Sequence, residues 1–192
     1  WKIESMDVRG TELSRDGARM FLPLLGQFQA VNAGTAYAVC RELELTERQI
    51  RTGFARTRWP GRLQYIPGSP PLLIDAGHNP AGIAALCQAL DTLFPNTPIT
   101  AVMAMMGDKD HGSCIPMVAS RVDHLIAATV GLPRSLSTDR LAAEAARWCQ
   151  VSQAASIREG MEMARQDGNL ILVCGSVYAA GAALDALESA GK

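Results

Sequence analysis

A carboxylate, an imidazole and an amide crowd together at Asp75-Ala76-Gly77-His78-Asn79-Pro80, directly after the apolar run Leu72-Leu73-Ile74. Gly77 permits a tight turn, and Pro80 suits the first position of a helix. Asp75, His78 and Asn79 are therefore left at the mouth of a strand. The ordinary alternative is an N-cap, which any Asp or Asn before a helix can be. Two further clusters have the same placement. Gly107-Asp108-Lys109-Asp110-His111 follows a run of Ala, Val and Met, where a solvated loop is the plain alternative. Gly175-Ser176-Val177-Tyr178 turns from an apolar strand into a helix, a geometry that presents backbone N–H groups to an anion. Arg62 follows the rigid Trp59-Pro60-Gly61 turn, and its planar fork suits a phosphate or a carboxylate, although an arginine in an edge strand is common.

Several chemistries are excluded. No G-x-G-x-x-G follows a strand, so the dinucleotide fingerprint is missing. There is no G-x-x-x-x-G-K-[ST] to cradle a triphosphate and no G-x-S-x-G elbow. His78, His111 and His124 share no metal-ligand spacing, so no metal site is expected. Five cysteines without a C-x-x-C pair argue against a disulfide framework or a zinc site and for a reducing cytoplasm. A formal charge of -1 gives no electrostatic case for nucleic acid or an anionic membrane. No apolar run approaches the ~20 residues of a membrane span, and no signal peptide opens the chain.

The elements that must hold these clusters follow from periodicity. Residues 1 to about 25 suit small β-strands joined by turns. Gln29 to Leu43 and Thr46 to about Arg56 read as helices, the second with Gln49 completing a capping box. Trp59-Pro60-Gly61 breaks the pattern, and a boundary is expected there, with 1–57 and 58–192 as separate units. Strands are then expected at Pro71–Asp75, Ile99–Met106, Leu125–Val130, Val151–Ala154 and Leu170–Cys174. Between and after them lie helices at Pro80–Leu93, near Ile115–Val122, from Ser137-Thr138-Asp139 through Trp148, from the Ser156/Glu159 capping box to about Gln166, and at Tyr178–Leu187. Strands apolar throughout and alternating with helices predict an α/β fold, a mostly parallel sheet covered on both faces. With 48% hydrophobic residues over 192 positions, a packed core is expected. Trp1 opens on strand-like sequence, which reads as a piece of a longer chain.

The ordered set "LLGQFQAVNAGTA", "WPGRLQ", "LLIDAGHNPAG", "GDKD" and "VCGSVY" resembles the C-terminal half of the folylpolyglutamate synthase family, including its bifunctional form with dihydrofolate synthase, within the Mur ligase superfamily. The resemblance runs from about Leu22 onward. It implies a Rossmann-like C-terminal domain preceded by the tail of a central ATPase domain, whose P-loop, magnesium ligands and modified lysine lie outside this sequence. It implies ATP and Mg2+ as cofactors, and folate (dihydropteroate or tetrahydrofolate) and L-glutamate as partners, in a monomer. ATP would phosphorylate a folate carboxylate, and the glutamate amine would attack the acyl phosphate. Asn32, Arg62 and Asp75 would contact the nucleotide, with Arg62 on its phosphates, and His78 with Ser176 would place glutamate and the reacting carboxylate. The family usually reads Asp-Gly-Ala-His or Asp-Val-Ala-His where this chain has Asp75-Ala76-Gly77-His78. The alternatives are another amino-acid ligase of the superfamily, which would carry Asp-Asn-Pro-Arg where Gly131-Leu132-Pro133-Arg134 stands, or a non-catalytic α/β binding module.

Overall fold

A computed structural model describes residues 1–190. The strands β1 (Lys2–Asp7), β2 (Gly10–Arg15) and β3 (Ala18–Leu22) pair antiparallel in sequence order. Leu13, Met20 and Leu22 leave one face of this sheet and meet Ala33 of α1 (Gln29–Glu42) and Ile50 and Phe54 of α2 (Glu47–Ala55). The capping box at α2 is complete: Thr46 Oγ1 accepts from the Gln49 N–H, and Gln49 Oε1 accepts from the Thr46 N–H. α1 has no side-chain cap. It also leaves Val31 exposed, as is its C-cap Leu43, at 74% and 68%.

The second sheet has six strands in the order β4 (Gln64–Ile66), β5 (Leu72–Ile74), β9 (Leu170–Cys174), β6 (Ile99–Met103), β7 (His124–Ala127), β8 (Gln150–Gln153). All neighbours are parallel except the edge pair β4 and β5. Successive side chains of a strand point to opposite faces, and here both faces are apolar. Leu73, Ala101, Met103, Leu125 and Leu172 face α3 (Pro80–Leu93), α4 (His111–Ala119) and α5 (Thr138–Ala145). Leu72, Ile74, Val102, Ile126 and Val173 face α6 (Ile157–Asp167) and α7 (Val177–Ala190). This is the α/β, Rossmann-like arrangement the sequence predicts. Because the chain returns from β8 to insert β9 between β5 and β6, connections diverge around β9. Such a switch point opens a crevice beyond the strands' carboxyl ends. Among the described residues, no helix is long and apolar enough to cross a membrane.

Some boundaries differ from expectation. α4 begins at His111 rather than near Ile115, because Asp110 caps it by accepting from the Ser113 N–H at 3.1 Å. Pro116 sits inside this helix, and the carbonyl it leaves without an i→i−4 donor belongs to the exposed Gly112. α5 ends at Ala145, three residues short of Trp148. The box at α6 is only half formed: Ser156 accepts from the Glu159 N–H, but the Glu159 carboxylate reaches the Ala155 N–H instead of its own cap. The strand β4, for which the periodicity gives no bounds, is a three-residue edge strand antiparallel to β5.

Candidate functional site

β5, β9 and β6 are adjacent and parallel, so their carboxyl ends share one edge. That register brings together the tails Asp75–Pro80, Gly175–Tyr178 and Ala104–His111. Between them opens a cleft of about 360 Å3, lined in part by His78, Asp108, Lys109, Arg134, Ser176 and Tyr178. His78 Nδ1 lies 3.0 Å from the Ala76 carbonyl oxygen. A carbonyl only accepts, so Nδ1 carries the proton in that bond, and a neutral His78 keeps Nε2 as a bare acceptor. Ser176 is 2% exposed, and its Oγ accepts from the Tyr178 N–H at 3.1 Å. Its own hydroxyl proton remains available to donate. Gly175, at φ +95, makes this turn possible: a Cβ there would stand 2.8 Å from the Ala104 carbonyl oxygen. Lys109 pairs with Asp108 at 3.5 Å.

Asp75 takes no part in lining that cleft. It is 4% exposed, and its Oδ2 accepts from the Leu63 N–H at 3.0 Å while Oδ1 accepts from the Gly77 N–H at 2.8 Å. Burial pushes its carboxyl up, against the pull of those two N–H groups and of the Arg62 and His78 charges. The bond to Leu63 matters because Leu63 sits at φ +43, a left-handed conformation costly for a branched side chain. Asp75 thereby fixes the backbone beside Arg62. The Arg62 guanidinium lies over the Phe28 ring, 5.0 Å from its centroid. Arg62 also lines a second cleft of about 330 Å3, with Arg9, Arg58, Trp59 and Tyr65, between the first sheet's turns and the start of the second.

The six-stranded sheet thus brings His78 and Ser176 to one cleft and joins Arg62 to Asp75 through Leu63. Asn32 stands apart, exposed on α1, its amide donating to Gln29 Oε1 at 3.0 Å. Asn79 is the cap of α3, accepting from the Gly82 N–H at 2.8 Å. Lys109 and Arg134 were not singled out as site residues. Their signals were the charged cluster after β6 and the Pro-Arg pair after β7. Phe28 stands in the stretch LLGQFQAVNAGTA that carries the resemblance, but no role attached to it there. Among the described residues, no group of three or more His, Cys, Asp or Glu could hold a metal ion.

Comparison with known proteins gives a consistent picture. The family model described as "Mur ligase, glutamate ligase domain" matches residues 61–177. A folylpolyglutamate synthase of Lacticaseibacillus casei is 33% identical over 144 residues, covering 70% of this chain and 33% of that protein. The dihydrofolate synthase/folylpolyglutamate synthase of Escherichia coli is 31% identical over 176 residues, 89% of this chain and 41% of that one. Among solved structures, the Mycobacterium tuberculosis folylpolyglutamate synthase complexed with ADP and AMPPCP superposes with a TM-score of 0.86 at 30% identity, covering 95% of this chain and 47% of that chain. The chain therefore spans less than half the length of the proteins it matches here.

Proposed function

Because the chain belongs to the Mur ligase family through its glutamate ligase domain, we propose that it is the C-terminal part of an ATP-dependent ligase that adds L-glutamate to folate. Residues 1–57 are the end of an ATPase domain, and 58–192 are the domain that closes over nucleotide and amino acid. The observation that carries the reading is the shared cleft of His78, Lys109, Arg134 and Ser176 at the carboxyl edge of the sheet.

The roles follow from that geometry. Lys109 and Arg134 give the cleft the positive charge that an amino acid with two carboxylates requires. The Ser176 hydroxyl, having accepted from Tyr178, donates to a carboxylate oxygen. The bare Nε2 of His78 accepts a hydrogen bond from the incoming amine and aims its lone pair away from the ring. Attack of that amine on an acyl phosphate of folate forms the amide C–N bond, breaks the acyl C–O bond and expels inorganic phosphate, and the amine proton leaves through His78 Nε2. Arg62 faces the phosphates from across the boundary, where charge spreads in phosphoryl transfer, and Asp75 holds Arg62 in place rather than reaching the nucleotide itself. Asn32 meets the nucleotide from the α1 side. A divalent metal, when bound, neutralises phosphate charge; its ligands belong to the ATPase half. The five free cysteines suit a reducing cytoplasm, and the ligase acts as a monomer.

The test is ADP release by the complete protein with a folate acceptor. Release should require L-glutamate, and Lys109→Met should raise the KM for glutamate roughly tenfold. Release that ignores glutamate, or that needs an acceptor other than a folate, sinks the reading.

A further inference from the structure

Arg62 is held from two sides. Its backbone is fixed by the Asp75 bond to the next residue, Leu63. Its side chain rests on Phe28, within the ~6 Å range of a cation–π contact. Phe28 precedes α1 and Arg62 precedes β4, so this contact crosses the boundary between the two sheets. The ring is itself seated: Phe28 is half-buried and packs against the core under α3. Gly26, at φ +104, lies so close that a Cβ there would come within 2.5 Å of Phe28 Cε1 and 2.9 Å of Leu63 Cδ1. A second bond crosses nearby, from Gln88 Nε2 to Gln27 Oε1 at 2.9 Å.

A ring is a particular kind of partner for a guanidinium. A carboxylate would occupy two N–H donors and cancel the charge. A ring touches the flat face and leaves the donors free. Asp75, whose carboxyl feels the Arg62 charge, is already spent on two backbone N–H groups. Among the described residues, the Arg62 guanidinium makes no hydrogen bond. It rests on the ring with its N–H donors still available.

We propose that Phe28 is a positioning residue, whose ring holds the Arg62 fork ready for the phosphate oxygens of a bound nucleotide. The inference rests on the role proposed above for Arg62. An arginine ordered beforehand gives up less rotamer freedom when it engages phosphate, so the effect belongs on turnover rather than on folate binding.

Four variants of the complete ligase test this: Phe28→Leu, Phe28→Tyr, Arg62→Ala and the double Phe28→Leu/Arg62→Ala. With ATP saturating, Phe28→Leu should lower kcat about tenfold, with the folate KM within about twofold. Phe28→Tyr keeps the ring and should stay within about twofold of the parent. Arg62→Ala should cost ~10²-fold, and adding Phe28→Leu to it should cost nothing more. In the present chain, NMR should show Arg62 side-chain protons shifted upfield by the ring, in the parent and in Phe28→Tyr but not in Phe28→Leu. This readout reports the contact without any catalysis, and Phe28→Met serves as the ringless variant should Phe28→Leu fail to fold. Additive losses in the double variant overturn the inference, as does normal turnover of the ringless variants beside a slow Arg62→Ala. Full turnover by Arg62→Ala overturns instead the role of Arg62, and the inference with it.

Discussion

Asp75 carries a carboxyl into a nearly dry position because two N–H groups, of Leu63 and Gly77, meet its oxygens. Removing it leaves both donors without partners and takes away the backbone bond of a left-handed Leu63, whose side chain stays packed in the core. Each buried, orphaned donor costs about 1–3 kcal/mol. We therefore expect Asp75→Ala to destabilise the isolated chain by on the order of 3 kcal/mol, seen as a lower urea midpoint. An unchanged midpoint would free Asp75 from this clamp and return it to direct nucleotide contact. At this scale the sequence was most informative where chemistry and strand end coincide, as at His78 and Ser176. It was least so for partners set by tertiary folding. The bond from Leu63 to Asp75 spans twelve residues, and Phe28 meets Arg62 across an entire helix pair, so neither leaves a local pattern.

At the opposite edge of the second sheet, four elements are tied by one acid. Asp167, at the end of α6, accepts from Thr100 of β6 and pairs with His124 of β7, whose other ring nitrogen meets Ser152 of β8. The His124 bond first, and then the Thr100 bond, hold the Asp167 carboxyl below its ordinary value. A carboxyl depressed in the folded state adds stability above its unfolded pKa, about 4, and that stability disappears as pH falls through the folded value. The parent should thus lose more stability between pH 5 and 3 than Asp167→Asn does, with the two curves converging in acid. Urea midpoints against pH measure this, and parallel curves would mean that Asp167 is not the linked group. Element type was legible here because mostly apolar strands alternate with capped helices. Ends were less so, since Asp110 and Glu159 choose among nearby N–H groups only once the turn has formed.

Across the molecule, the alternation of β and α read from periodicity was enough for the sheet and its carboxyl edge. How the first sheet meets the second was not, because that contact is made by scattered residues such as Leu25, Phe28 and Gln27. The same view says what this chain can do alone. It has no G-x-x-x-x-G-K-[ST] cradle. Its phosphate-facing contribution in the proposed ligase is chiefly Arg62, and one such contact is worth on the order of 3 kcal/mol. That corresponds to nucleotide binding in the millimolar range or weaker. Val31 of α1 and Leu43 just after it are exposed, on a face that the rest of the proposed ATPase domain would cover. The purified chain, given ATP, Mg2+, folate and L-glutamate, should therefore release no ADP above background in a coupled assay. Glutamate-dependent release by the chain alone would mean that triphosphate and metal are held by residues within it, and the division of labour proposed here would fall.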